Sequence, residues 1–478
     1  MSSLLERLHI PRFEFASKER GDRVYSPVAT YYLIVIPALI LTVFGLVMGF
    51  SASAVTTIAS GGSPYAAFLR QLLIIGVSFL LAAIFIQRIP SAVWYRLAPV
   101  IYLAALFFQA LVMTPLAASQ GGNTNWVSLP GLGTFQPSEF LKLALIVALG
   151  RSLSREGARR NDWRQMAVTV GLPILGALVD VMLGKDMGTA MVMAAGAFGA
   201  IWVARLPRKW FAVIFLSAIP VAVFLVFQNP TRMKRILAVL PWNRPARNLS
   251  APEQIDHALW ALGSGGLTGL GPGASREKWN YLQAAHTDFI LAIIGEEFGL
   301  LGTLTIVACI CLMIWGMVRL IHSTNSFFTT IVSGGVAAWI GIQAIINIAS
   351  VTGLGPVIGV PLPLVSYGGS SYLFTISAIA LVAACARENA GMTMGLKFSA
   401  GSSRDPRLSR RRRRAGAVRR PRRGGFPDRT GAAGRDRWFS CSDPAPNACE
   451  AQRLGPLECR AASSGQETLL AGGVSARG

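Results

Sequence analysis

Asp288 stands in the run Ala285-His286-Thr287-Asp288-Phe289, where a polar loop gives way to an apolar stretch of spanning length. A carboxylate at that edge is costly unless it has work to do. Within hydrogen-bond reach of a hydroxyl, it could accept the proton and act as a general base. The competing reading is a helix N-cap, with Thr287 or Asp288 bonding free amides at the start of the helix. These residues taken alone leave the two readings evenly matched. Upstream, residues 263–273 read Gly-Ser-Gly-Gly-Leu-Thr-Gly-Leu-Gly-Pro-Gly, a segment whose backbone amides can approach an anion closely. His286 could orient Asp288, or could satisfy local hydrogen bonds. Glu296 and Glu297 fall about two turns into the apolar stretch, so one is expected to face a cavity and the other a partner helix.

Other charges recur inside apolar sequence. Glu139 and Lys142 are three apart on one expected helix and can pair. Such charges are functional candidates, with a structural tie between helices as the alternative. Lys185 and Asp186 invite the same pair reading. Trp126 lies in a loop without Lys or Arg, and could stack on a sugar or anchor at a membrane interface.

These residues must be positioned by membrane helices. The chain has 478 residues, 52% hydrophobic and 14% charged, against about 25% charged in soluble domains. Apolar runs of spanning length lie near 31–53, 67–86, 94–114, 136–150, 166–183, 187–204, 209–227, 288–318, 327–350 and 370–386. The expected fold is an all-α polytopic membrane protein with about ten transmembrane helices and a large loop at 228–287 between spans 7 and 8. The alternation of a barrel strand is absent. Arginines and lysines cluster in the N-terminal arm and in the short loops after spans 2, 4, 6 and 8. The loops at 54–66, 115–134 and 351–369 have none. This pattern predicts cytoplasmic termini and an extracytoplasmic 228–287 loop. The start is polar and basic, without the pattern of a cleavable signal peptide.

The expected divisions are a cytoplasmic arm over 1–27, a membrane domain over 28–391 and a disordered Arg-rich cytoplasmic tail over 392–478. The tail carries the run Arg410–Arg414 and contains much of the formal net charge of +22. That charge is therefore not read as nucleic-acid binding. The tail could bind anionic lipid or an acidic partner, be solvated without a partner, or be an out-of-frame read of GC-rich sequence. Of six cysteines, Cys309, Cys311 and Cys385 lie in spans and Cys441, Cys449 and Cys459 in the tail. No metal-ligand spacing is present.

Several segments together resemble the FtsW/RodA/SpoVE (SEDS) family. They are Ser51-Ala52-Ser53, Asn125-Trp126, Phe135-Gln136-Pro137-Ser138-Glu139, Asp186-Met187-Gly188-Thr189, the 263–297 loop region, and Gly359-Val360-Pro361-Leu362-Pro363-Leu364-Val365-Ser366-Tyr367-Gly368-Gly369-Ser370-Ser371. The resemblance covers residues 26–391. Asn125 replaces the family's arginine, Lys185 its proline, Gln283-Ala284 a Pro-Glu pair, and His257 a glutamine. Tyr31-Tyr32 and Gly45-Leu46-Val47-Met48 favour the FtsW branch.

The resemblance implies a peptidoglycan glycosyltransferase that polymerises lipid II, with Asp288 as the catalytic residue. It implies a class B penicillin-binding protein as transpeptidase partner, together with other division or elongation complex proteins. It places the chain in the bacterial plasma membrane, at the septum for the FtsW branch. Arg232, Lys234 and Arg235 resemble the family's paired arginines and would balance the undecaprenyl diphosphate leaving group. Lys278 and Gln254 also match family loop residues, and Ser370 falls in the last motif. A divalent cation such as Mg2+ could help hold the diphosphate, with no ligands legible. The rivals are a lipid II flippase, a non-enzymatic division scaffold, and a RodA-like elongation role in place of division.

Overall fold

The computed structural model describes residues 26–392, apart from 60, 121–122, 130–132, 156–161, 208, 280, 283 and most of 212–252. Three expectations lie outside the described residues: the N-terminal arm, most of span 7 with Arg232, Lys234 and Arg235, and the tail.

The described helices are α1 (Pro27–Ala59), α2 (Pro64–Arg88), α3 (Ser91–Ala110), α4 (Pro137–Arg155), α5 (Trp163–Leu183, with a π turn at Ala167–Gly171), α6 (Met187–Val203), α7 (Gln254–Gly265), α8 (Ile290–Ser323), α9 (Phe327–Val351) and α10 (Gly369–Asn389). Among the described residues, seven helices are long and apolar enough to cross a membrane. The expected spans over 136–150 and 187–204 are α4 and the 17-residue α6. Glu139, Lys142 and Arg151 dilute the hydropathy of α4, which lies largely inside the protein.

Apolar faces on α2, α3 and α5 remain outward, through Leu73, Leu80, Leu103, Phe107 and Leu172 among others. In hydrocarbon there is no hydrophobic force between helices, so close packing must supply the contact. Between α6 and α9 it does: a methyl on Gly199 would fall 2.3 Å from the Cβ of Ala338, and one on Gly334 2.5 Å from Val203.

Where the sequence predicts a loop between α3 and α4, the structure holds a small antiparallel sheet. Strands β1 (Ala117–Gln120), β2 (Asn123–Leu129) and β3 (Gly133–Phe135) run in that order. Ala118 pairs with Trp126 and Val127 with Phe135. Its short strands and small residues give a weak alternation, which a hydropathy reading passes over. The sheet fixes Asn125 and Trp126 directly above the start of α4.

α8 is broken at Gly299, with φ 65° and ψ −161°. The helix bonds from the amides of Leu300 and Leu301 to the carbonyls of Glu296 and Glu297 are missing, and the Gly-rich loop replaces them. Leu270 and Gly271 donate to the carbonyls of Glu296 and Glu297 at 2.9 and 3.0 Å, and Leu300 and Leu301 donate to Gly266 and Leu267 at 2.9 and 3.2 Å. These four backbone groups are thus satisfied again, as a membrane-depth irregularity requires.

Candidate active site

A cavity of about 450 Å³ opens among α4, α6, α10, strand β2 and the turn before α8. Asn125, Trp126, Gln136, Glu139, Lys142, Asp186, Gln254 and Asp288 all line it, with the 357–368 segment as one wall. Residues far apart in the chain therefore converge on one space.

Each polar group is placed by a local device. Pro137 at the first position of α4 suits a helix start, and puts Glu139 and Lys142 within the first two turns. Their side chains pair at 2.7 Å, each 3% exposed. The Lys142 ammonium also lies 4.9 Å from the Trp339 ring centre. Asp186 is the N-cap of α6. Its carboxylate accepts from the Thr189 amide at 3.0 Å, the Thr189 hydroxyl at 2.7 Å, Gln136 Nε2 at 3.1 Å and Asn125 Nδ2. Asn125, where the family carries arginine, thus ties the sheet to α6. Ser370 Oγ accepts from the Gln136 amide at 3.2 Å and joins α10 to the start of α4.

Asp288 differs from these. It lies in a turn just ahead of α8 and is half-buried. Among the described residues its carboxylate accepts no hydrogen bond, while its own amide donates to Ala284 at 3.1 Å. Burial without compensation raises its pKa to about 6. Phe289 is the N-cap of α8, and no side chain caps that helix end.

His286 is drawn into structure instead. Its ring packs edge-on to Tyr367 at 5.7 Å, and Nδ1 has no partner among the described residues. Burial lowers its pKa, so the imidazole is neutral at pH 7.

Lys278, Glu296 and Glu297 form a separate cluster away from the cavity. Glu296 is bound by Ser275 Oγ at 2.5 Å and by the amides of Arg276 and Glu277 at 2.9 and 3.3 Å. The Glu296 carboxylate is thus held by the turn that follows the glycine-rich run, whose own amides bond backbone carbonyls instead. Glu297 accepts from Lys278 Nζ at 2.8 Å and from Ser51 Oγ of α1 at 2.9 Å. Neither glutamate lines the cavity.

Two further residues, Gln343 and Asn347 on α9, escaped the sequence reading. Both are 1% exposed. Gln343 donates to the Pro361 carbonyl at 2.9 Å, and Asn347 to the carbonyls of Asp288 and Val360 at 2.7 and 2.8 Å. Side-chain amides inside an apolar helix were the available signal.

Fold and site together define a polytopic helical membrane protein with a cavity lined by several charged and polar side chains, in which, among the described residues, the Asp288 carboxylate accepts no hydrogen bond. Residues 31–391 match the cell cycle protein family FtsW/RodA/SpoVE, and the chain belongs to that family. It is 34% identical over 356 residues to a probable peptidoglycan glycosyltransferase FtsW of Geobacter sp. (strain M18), covering 73% of this chain and 95% of that one. It is 35% identical over 354 residues to the stage V sporulation protein E of Bacillus subtilis (strain 168), at 73% and 95% coverage. Among solved structures, the Thermus thermophilus rod shape determining protein RodA aligns with a TM-score of 0.54 and 26% identity, over 75% of this chain and 97% of that one. A chain from a peptidoglycan synthase complex that coordinates polymerization and crosslinking aligns with a TM-score of 0.58 and 25% identity, over 74% and 97%.

Proposed function

We propose that this chain is a peptidoglycan glycosyltransferase that polymerises lipid II, with Asp288 as general base. The observation that carries the proposal is the contrast between the two aspartates of the cavity. Asp186 accepts four hydrogen bonds and caps a helix, so its carboxylate is committed to structure. Asp288 is unpartnered and desolvated, with a pKa of about 6. It is mostly ionised at pH 7 and far more basic than an ordinary carboxylate, which is what proton abstraction at neutral pH needs.

In this reading the C4 hydroxyl of the acceptor GlcNAc attacks the anomeric carbon of the donor MurNAc. The C1–O bond to the diphosphate breaks as the O4–C1 bond forms, and the hydroxyl proton passes to Asp288. Trp126 and Gln254 offer a stacking face and an amide to the sugars. Lys142 is already paired with Glu139, and Lys278 with Glu297. The diphosphate's countercharge is therefore assigned to Arg232, Lys234 and Arg235, and a divalent cation such as Mg2+ would add to it.

The FtsW names among the relatives support a role in division, at the septum of the bacterial plasma membrane, and the Lys and Arg of the short loops support cytoplasmic termini. The likeness to a chain of a synthase complex supports a class B penicillin-binding protein as partner. The stage V sporulation relative and the RodA fold favour a second reading, in which the same chemistry serves sporulation or elongation.

The test is polymerisation of fluorescent lipid II by the purified full-length chain. Asp288→Ala and Asp288→Asn should each lower the rate roughly 100- to 10,000-fold. An Asp288→Asn variant working near the wild-type rate would exclude the general base. Wild-type protein that moves lipid II across vesicles without polymerising it would favour the flippase, and protein that does neither would favour the scaffold.

A further inference from the structure

Three consecutive backbone carbonyls in the turn carrying Asp288 are each held by a donor distant in sequence, from the 366–367 segment or from α9. The His286 carbonyl accepts from the Tyr367 amide at 2.9 Å. The Thr287 carbonyl accepts from Ser366 Oγ at 2.6 Å, and the Asp288 carbonyl from Asn347 Nδ2 at 2.7 Å. Ser366 Oγ is itself aimed by accepting from the Leu362 amide at 2.7 Å. The same Asn347 nitrogen donates to the Val360 carbonyl at 2.8 Å, so one amide ties the turn to the 357–368 segment. Both Asn347 donors point at carbonyl oxygens, which fixes the amide's orientation: the flipped form would set oxygen against oxygen. Asn347 is 1% exposed and contacts the backbone of Asp288, not its carboxylate.

We propose that Asn347, with Ser366, is a positioning residue that locks the 286–288 turn and so holds the Asp288 carboxylate in the cavity. This rests on Asp288 being the general base. With its turn pinned, the carboxylate moves by side-chain rotation alone and stays shielded from water. Releasing the turn allows it to shift and to hydrate. Misplacement by about 1 Å can lower a rate on the order of 100-fold, and hydration returns a desolvated carboxylate towards its ordinary pKa. The other titratable groups around the cavity are Glu139 and Lys142 on α4, Asp186 at the start of α6, His286 in the turn, and Tyr367 and Tyr372 at α10. A substitution at Asn347 alters none of them, so a moved titration reports the hydration of Asp288.

The experiment measures lipid II polymerisation by the full-length chain against pH and substrate concentration. It compares wild type, Asn347→Leu, Ser366→Ala and Asp288→Asn. Asn347→Leu keeps the volume and removes the donor. It should lower kcat by about 10- to 100-fold with KM nearly unchanged, and should move the acid limb of the pH profile down by about one unit. Ser366→Ala should do the same to a smaller extent. If Asn347→Leu does not accumulate in membranes, Ser366→Ala decides by the same two readouts. A wild-type kcat, or a lowered kcat with an unmoved acid limb, overturns the positioning role. An active Asp288→Asn overturns the general base itself. An inactive Asp288→Asn beside a wild-type-like Asn347→Leu overturns the positioning role alone.

Discussion

Lys278 and Glu297 form an ion pair at 2.8 Å, with side-chain exposures of 5% and 0%, and Ser51 of α1 hydrogen-bonds to both. The lysine also donates to the Gly273 carbonyl at 2.7 Å. This pair fastens the Gly-rich segment to α8 and α1, and it stands apart from the cavity.

Breaking a buried pair by removing one partner costs about 3–5 kcal/mol, because a charge is left uncompensated. Lys278→Met is therefore expected to lower thermal stability sharply. Lys278→Met combined with Glu297→Gln should recover much of the loss. Thermal unfolding in detergent distinguishes them; a double variant as unstable as the single one would show that the charge balance is not what matters.

Gly299 offers a backbone test. Its φ of 65° disfavours a side chain, and a methyl there would fall 2.4 Å from the Gly269 amide and 2.5 Å from the Leu267 carbonyl. Gly299→Ala should expel the loop and cost about 1–3 kcal/mol from backbone strain alone. The measurement is limited proteolysis between residues 263 and 280. Protection equal to wild type would mean that the loop tolerates the methyl.

The sequence displays such features unevenly. Long apolar runs and the Pro137 start make most helices legible, because length and hydropathy are local properties. The motif around Asp288 and the cavity residues Glu139 and Asp186 are likewise visible as charges in or beside apolar sequence, and Asn125 and Trp126 through the motif they belong to. The partners of Glu296 and Glu297 are not legible, since they depend on a loop folding back some 20 residues. Nothing local marks Gly299 as a helix break among so many glycines. Asn347 and Gln343 read as isolated polar residues in an apolar helix until the 360–362 segment is seen beside them.

Asp288 predicts a stability that depends on pH with a definite sign. Its pKa is about 6 in the folded protein and 3.8 as a free carboxylate. Above pH 6 both states are ionised and the folded state bears the full desolvation penalty. Between 6 and 4 the folded state takes up the proton first and the penalty fades. Asp288→Asn should therefore melt higher than wild type at pH 7.5, with the difference shrinking as pH falls from about 6 to about 4. Melting curves across pH check this. A variant less stable than wild type at pH 7.5 would favour a structural role for the carboxylate.

The tail gives a simpler expectation. Truncation after residue 398 should leave lipid II polymerisation intact, because α10 ends at Asn389 and exposed termini tolerate removal. Activity of the truncated and full-length chains under the same conditions is the measurement. Loss of activity on truncation would make the tail part of the enzyme.

The break at Gly299 bears on how a bulky substrate reaches Asp288. A glycine-rich segment shortly before a reactive carboxylate in sequence suggests a flap that swings aside. Here, however, its amides and carbonyls complete the ladder of the neighbouring helix. Lifting it would strand four backbone groups, each costing several kcal/mol within a bilayer. The glycines thus act as a rivet rather than a hinge, and the doorway for a lipid-borne sugar must lie along another wall.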